Sequence, residues 1–169
     1  MMLKKPHDIK VKQQKLFIGL FLFSTIFSFI DLFSFINSNF YLEYFIALMV
    51  LTISSNLISI NITKVFLIGV IVDILVGSIL GQYTITFLFL YGLQVFSQKY
   101  FLMPSKAQAI LLRFISISLG IIIVTIISQI FNPVFYTNGS LLNYLIIEIA
   151  ITFFILIIFQ IFYERTYGA

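Results

Sequence analysis

Long apolar runs separated by short polar interruptions occupy the chain from residue 16 onward. The first fifteen residues differ, with Lys4, Lys5, Lys10, Lys12 and Lys15 around Asp8. This pattern predicts a polar tail over 1–15, six helices at about 16–36, 44–60, 65–80, 83–98, 109–131 and 141–163, and a short tail over 164–169. The run from Leu16 resembles a signal-peptide core. No small-x-small cleavage site follows it, so a retained first helix is expected. Asn37-Ser38-Asn39 and Asn61-Ile62-Thr63-Lys64 read as loops, and Gly81-Gln82 as a tight turn. Pro104, between Lys99 and Lys106, ends the fourth helix because proline lacks an N–H and clashes with the preceding turn. Asn132-Pro133 closes the fifth. Asn138-Gly139 is a turn signal, with Ser140 placed to cap the sixth.

Composition decides what such helices are for. Hydrophobic residues make up 61 %, charged residues 9 %, and the mean hydropathy is +1.13, too apolar for a domain with a polar surface. The expected fold is an all-α integral membrane protein of six transmembrane helices, since about 20 apolar residues span a bilayer. The 169 residues leave no room for a soluble domain beside them. The net charge of +4 does not point to nucleic acid, because the basic residues fall in the tail and in short loops. They follow the positive-inside rule instead: the N-terminal tail, Lys64, Lys99 with Lys106 and Arg113, and Arg165 fall on one side, while Asp31 and Glu43 fall on the other. Both termini are thereby expected in the cytoplasm. Tyr41, Tyr44, Tyr83, Tyr100, Tyr136, Tyr144, Tyr163 and Tyr167 lie near helix ends, as an interfacial belt requires in a chain without tryptophan. The absence of cysteine excludes disulfide and thiolate chemistry, and the single histidine, His7, lies in the tail. No metal site and no cofactor are expected.

One acid stands out. Asp73 lies in an apolar run with Gly69 and Gly77 four residues to either side and Gly81 four beyond. Residues four apart share a helix face, so this spacing predicts a glycine-lined stripe against which another helix closes. A carboxylate inside a bilayer costs about 3 kcal/mol on insertion scales and therefore needs a partner. At a rise of about 1.5 Å per residue, Asp73 falls roughly 12 Å above the inner boundary, on the cytoplasmic side of the midplane. Candidate partners at that depth are Thr52, Ser54, Ser55 and Asn56 on the second helix and Gln94 on the fourth, with Arg113 shallower. A structural contact that fixes packing is the leading reading of Asp73, ahead of an ion or proton pathway. Glu148 lies in the outer half of the sixth helix, at another depth, so a direct wire between the two acids is not expected.

The run Gly69-x-x-x-Asp73-x-x-x-Gly77-Ser78-x-x-Gly81, on the third of six spans, resembles the bacterial rod shape-determining protein MreD family. The basic N-terminus and short loops look similar as well. The chain departs from that family where the second span begins, having Tyr41-Leu42-Glu43 and no proline. The resemblance implies a non-enzymatic scaffold in the bacterial inner membrane, part of the elongation machinery for cell shape and sidewall peptidoglycan synthesis. Its implied partners are the bitopic protein MreC and, through it, the filament MreB and the glycosyltransferase and transpeptidase pair. The implied fold is similar to the substrate-binding subunits of energy-coupling-factor transporters. Gly69, Asp73, Gly77, Ser78 and Gly81 are the motif positions that carry over.

Such a vitamin-binding transporter subunit is the main alternative. It needs convergent polar groups in its outer half to capture a soluble ligand. Here that half offers chiefly Glu148, Gln129, Asn143 and the 132–140 loop. An intramembrane enzyme is not expected, since no His-x-x-x-His spacing, carboxylate pair or nucleophile with a base is in view.

Overall fold

The computed structural model describes residues 15, 17–19, 21, 22, 24–26, 44–54, 60–76, 79–100, 106–131 and 138–167. Regular structure among them is entirely helical. Helix α1 lies within Phe17–Ile26. It is followed by α2 (Tyr44–Ser54), α3 (Ile62–Val76), α4 (Gln82–Tyr100), α5 (Lys106–Phe131) and α6 (Asn138–Tyr167). The third helix, expected to about residue 80, has given way to a turn by Ile79, whose carbonyl accepts from Gln82 N–H.

The bundle is built around α2. Every residue from Phe45 to Ile53 is buried, as expected for a helix that is apolar on all sides. It packs against α4, α5 and α6. Phe87 and Leu90 of α4, Ile117, Ile121 and Val124 of α5 and Leu156 of α6 complete the core around it. Gly120 lets α5 come close, because a Cβ there would lie 2.8 Å from Ile46 Cγ2. By contrast, α3 is peripheral and leans mainly on α4. It buries only Val65, Gly69, Val72 and Asp73, a single stripe at helical spacing.

The helices alternate in direction. Gln82 Nε2 at the start of α4 donates to Val124 O at 3.0 Å and to Ser128 Oγ at 2.6 Å, near the end of α5. Near the opposite end of the bundle, Arg113 Nε in α5 donates to Ser54 Oγ at the end of α2, at 3.0 Å. The Phe21 and Phe45 rings meet at 6.0 Å while Phe17 lies beside Lys64, and the Phe114 and Phe153 rings meet at 5.1 Å while Glu148 lies near Tyr44, which orients α1 and α6. One end of the bundle therefore carries the α3–α4 turn. Lys15, Lys64, Lys99, Lys106, Arg113 and Arg165 all belong to helix segments nearer the other end.

The outer surface is apolar. Phe66, Leu67, Ile71 and Ile74 on α3, Phe89 and Phe96 on α4, Leu111 and Ile130 on α5, and Phe154 and Ile161 on α6 are all exposed. Two helical stretches, Ala107–Phe131 and Leu141–Phe162, are each long and apolar enough to cross a membrane.

Candidate functional site

A helix begins with four N–H groups that have no partner within it. At the start of α4 the capping position falls on Gly81, whose carbonyl accepts from Ile85 N–H at 2.8 Å. Its φ of 99° suits glycine and strains other residues. Glycine has no side chain with which to cap, and Asp73 supplies one from the preceding helix. Gly81 N–H donates to Asp73 Oδ2 at 2.9 Å, Tyr83 N–H to Oδ1 at 2.7 Å, and Thr84 N–H to Oδ2 at 3.4 Å. The Thr84 hydroxyl adds a bond to Oδ2 at 2.6 Å. Gln82 N–H turns back to Ile79 O at 3.0 Å. Each N–H from Gly81 to Ile85 is thereby satisfied.

This clasp needs α4 to begin against α3. Gly69 provides the space, since a Cβ there would lie 2.5 Å from Thr84 Cα and 2.9 Å from Thr84 Oγ1. Both carboxyl oxygens of Asp73 act as acceptors at the positive end of the α4 dipole, the favourable place for a negative group. The side chain is 1 % exposed. Its two oxygens take four bonds, close to the full acceptor capacity of a carboxylate. Little capacity remains for an ion or substrate, so the chemistry of the site is that of a lock.

The partners differ from those expected at the depth of Asp73. Thr52 is buried, but its hydroxyl donates to Leu48 O at 2.7 Å. Ser54 donates to Leu51 O at 3.3 Å and accepts from Arg113. Gln94 accepts from the Ser97 hydroxyl through its backbone carbonyl, at 2.9 Å. Ser55, Asn56, Gly77 and Ser78 lie outside the described residues. The physical reason is that the chain has left α3 by Ile79, so it turns back and starts α4 level with Asp73. This sets Asp73 in the layer of the turn, whereas Ser54 and Arg113 belong to the opposite layer. Gly81 accordingly lies in the turn and not on a helical stripe with Gly69. Sequence reasoning missed Tyr83 and Thr84 as partners; the available signal was a helix starting after a glycine that cannot cap itself.

A second group of buried polar residues lies between α2 and α6. Glu148 is 0 % exposed and lies within electrostatic reach of Tyr44. One turn on, Thr152 is also fully buried, and its hydroxyl meets no hydrogen-bond partner among the described residues. Gln129 is half-buried and Asn143 exposed, so neither joins Glu148 in a buried site. No cluster of three potential metal-ligating side chains occurs among the described residues. No protein family's sequence profile matches the chain, and neither the curated proteins nor the solved structures contain a significant match to it.

Proposed function

We propose that the chain is a six-span protein of the bacterial cytoplasmic membrane with both termini in the cytoplasm, and that it acts as a non-enzymatic scaffold for a single-span partner. Three observations support the membrane part. The outer surface carries an apolar area that water would not tolerate in a monomer. The two longest apolar stretches are only 33 % and 17 % buried, so most of each faces outward, unlike a core helix of a soluble protein. The basic positions gather at one end of the bundle, in agreement with the positive-inside rule.

The scaffold part rests on one observation above the others: Asp73 spends its acceptor capacity inside the α3–α4 hairpin. A transport pathway would leave that acid addressable, whereas a packing element locks it away. This supports the reading in which the Gly69 to Gly81 motif, similar to that of the MreD family, shapes a bundle that presents an outer face to the helix of an MreC-like protein. MreB-like filaments and the peptidoglycan polymerising pair would then be indirect partners.

Purification of the tagged chain from its native membrane in mild detergent tests the proposal. Recovery of a single-span periplasmic coiled-coil protein is the expected result. Recovery of a pair of ATPases, with vitamin binding by the purified chain, would replace the scaffold by a transporter subunit in which Glu148, Tyr44 and Thr152 are the first residues to probe.

A further inference from the structure

A groove of about 230 Å³ opens between α1 and the first turns of α3, lined by Phe17, Ile60, Lys64, Leu67 and Ile68. Its lining is largely hydrocarbon, and Lys64 is the one ionisable residue among the described residues that line it. Lys64, Leu67 and Ile68 share a face of α3, because residues three and four apart are neighbours on a helix. Leu67 is 54 % exposed, so the groove is open to the outside rather than sealed in the core. Its volume falls below the roughly 300–1,000 Å³ of pockets that enclose drug-sized molecules. A stretch of hydrocarbon chain fits it better than a compact polar ligand.

Charge selects the head that goes with such a tail. Lys64 lies in the first turn of α3, where the helix dipole adds partial positive charge. The same end of the bundle carries Lys15, Lys99, Lys106, Arg113 and Arg165. Basic groups at a membrane surface attract anionic lipids. We infer that this groove seats one acyl chain of an anionic phospholipid whose headgroup phosphate pairs with the Lys64 ammonium. A soluble phosphate would leave the apolar lining unfilled, and a zwitterionic lipid would offset its own phosphate with its cationic group. The inference rests on the membrane reading above and adds a ligand class to it.

The full-length chain, reconstituted into nanodiscs of equal phosphatidylglycerol and phosphatidylcholine and released into mild detergent, provides the test by native mass spectrometry. Wild type is expected to retain phosphatidylglycerol several-fold over phosphatidylcholine. Lys64→Gln should abolish that preference, while Lys99→Gln, at the same end but outside the groove, should keep it. Leu67→Trp, which fills the groove, should reduce retention of both lipids; circular dichroism establishes that each variant keeps its helices, and if Leu67→Trp fails to fold the two lysine variants decide. Equal retention of both lipids by wild type, or a preference that survives Lys64→Gln, overturns the inference and leaves the membrane reading standing. Failure of wild type to enter nanodiscs overturns both.

Discussion

Asp73→Asn keeps the shape of the side chain and reverses the polarity of one of its ends. An amide NH₂ would then face N–H groups of Gly81, Tyr83 or Thr84, leaving a donor without an acceptor. Each buried donor left unmade costs about 1–3 kcal/mol, and water-free surroundings raise that figure. Asp73→Asn is therefore expected to lower the stability of the purified protein by at least about 2 kcal/mol, read as reduced Tm in detergent; an unchanged Tm would remove the clasp as a source of stability. Thr84→Val deletes a single bond to the carboxylate at nearly constant volume and should cost about 1.5–3 kcal/mol. At this scale the sequence was partly legible. That Asp73 must be paired follows from its apolar surroundings, and that Gly69 permits close approach follows from its size. Which groups pair with it does not follow, because the answer is main-chain N–H, which every residue but proline carries and no side-chain pattern reveals.

The two helices of the hairpin are held by different kinds of contact from the helices around α2. At Gly69 an added methyl would strike the backbone Cα of Thr84, which cannot move without α4. At Gly120 the nearest atom belongs to the Ile46 side chain, which can shift by rotamer. Gly69→Ala should accordingly destabilise more than Gly120→Ala, by a margin of about 1 kcal/mol or more, and chemical denaturation of the two variants side by side checks the order. Gly81→Ala tests a third mechanism. Space is open there, the nearest atom being Ile85 Cδ1 at 3.9 Å, so any loss comes from the positive φ and should fall within about 1–2 kcal/mol. Loss of folding in Gly81→Ala would mean the turn, and not the helix approach, controls the hairpin. Helix positions were readable from apolar runs and breakers. That the chain leaves α3 by Ile79 was not, because Ile79 and Leu80 continue its apolar character and the turn is held by the return of the chain to Asp73.

For the whole molecule, the absence of cysteine makes topology directly measurable. Single cysteines introduced at Lys15, Lys64, Lys99 and Arg165 are expected to react with an impermeant thiol reagent only when the cytoplasmic face is exposed. Labelling of any of them from outside intact cells would break the proposed arrangement. The all-helical character and the apolar exterior were legible from composition, since so few charges cannot cover a surface. The central position of α2 was not, because α2 and α3 are about equally apolar and only three-dimensional packing distinguishes a helix buried on all sides from one buried along a stripe.

The donors that satisfy Asp73 come from residues eight to eleven positions further along the chain. Order of synthesis gives that proximity a meaning: the costly acid acquires its partners as soon as the hairpin has emerged, before α5 and α6 exist, so the growing protein never has to shelter an unmatched carboxyl while waiting for a distant segment.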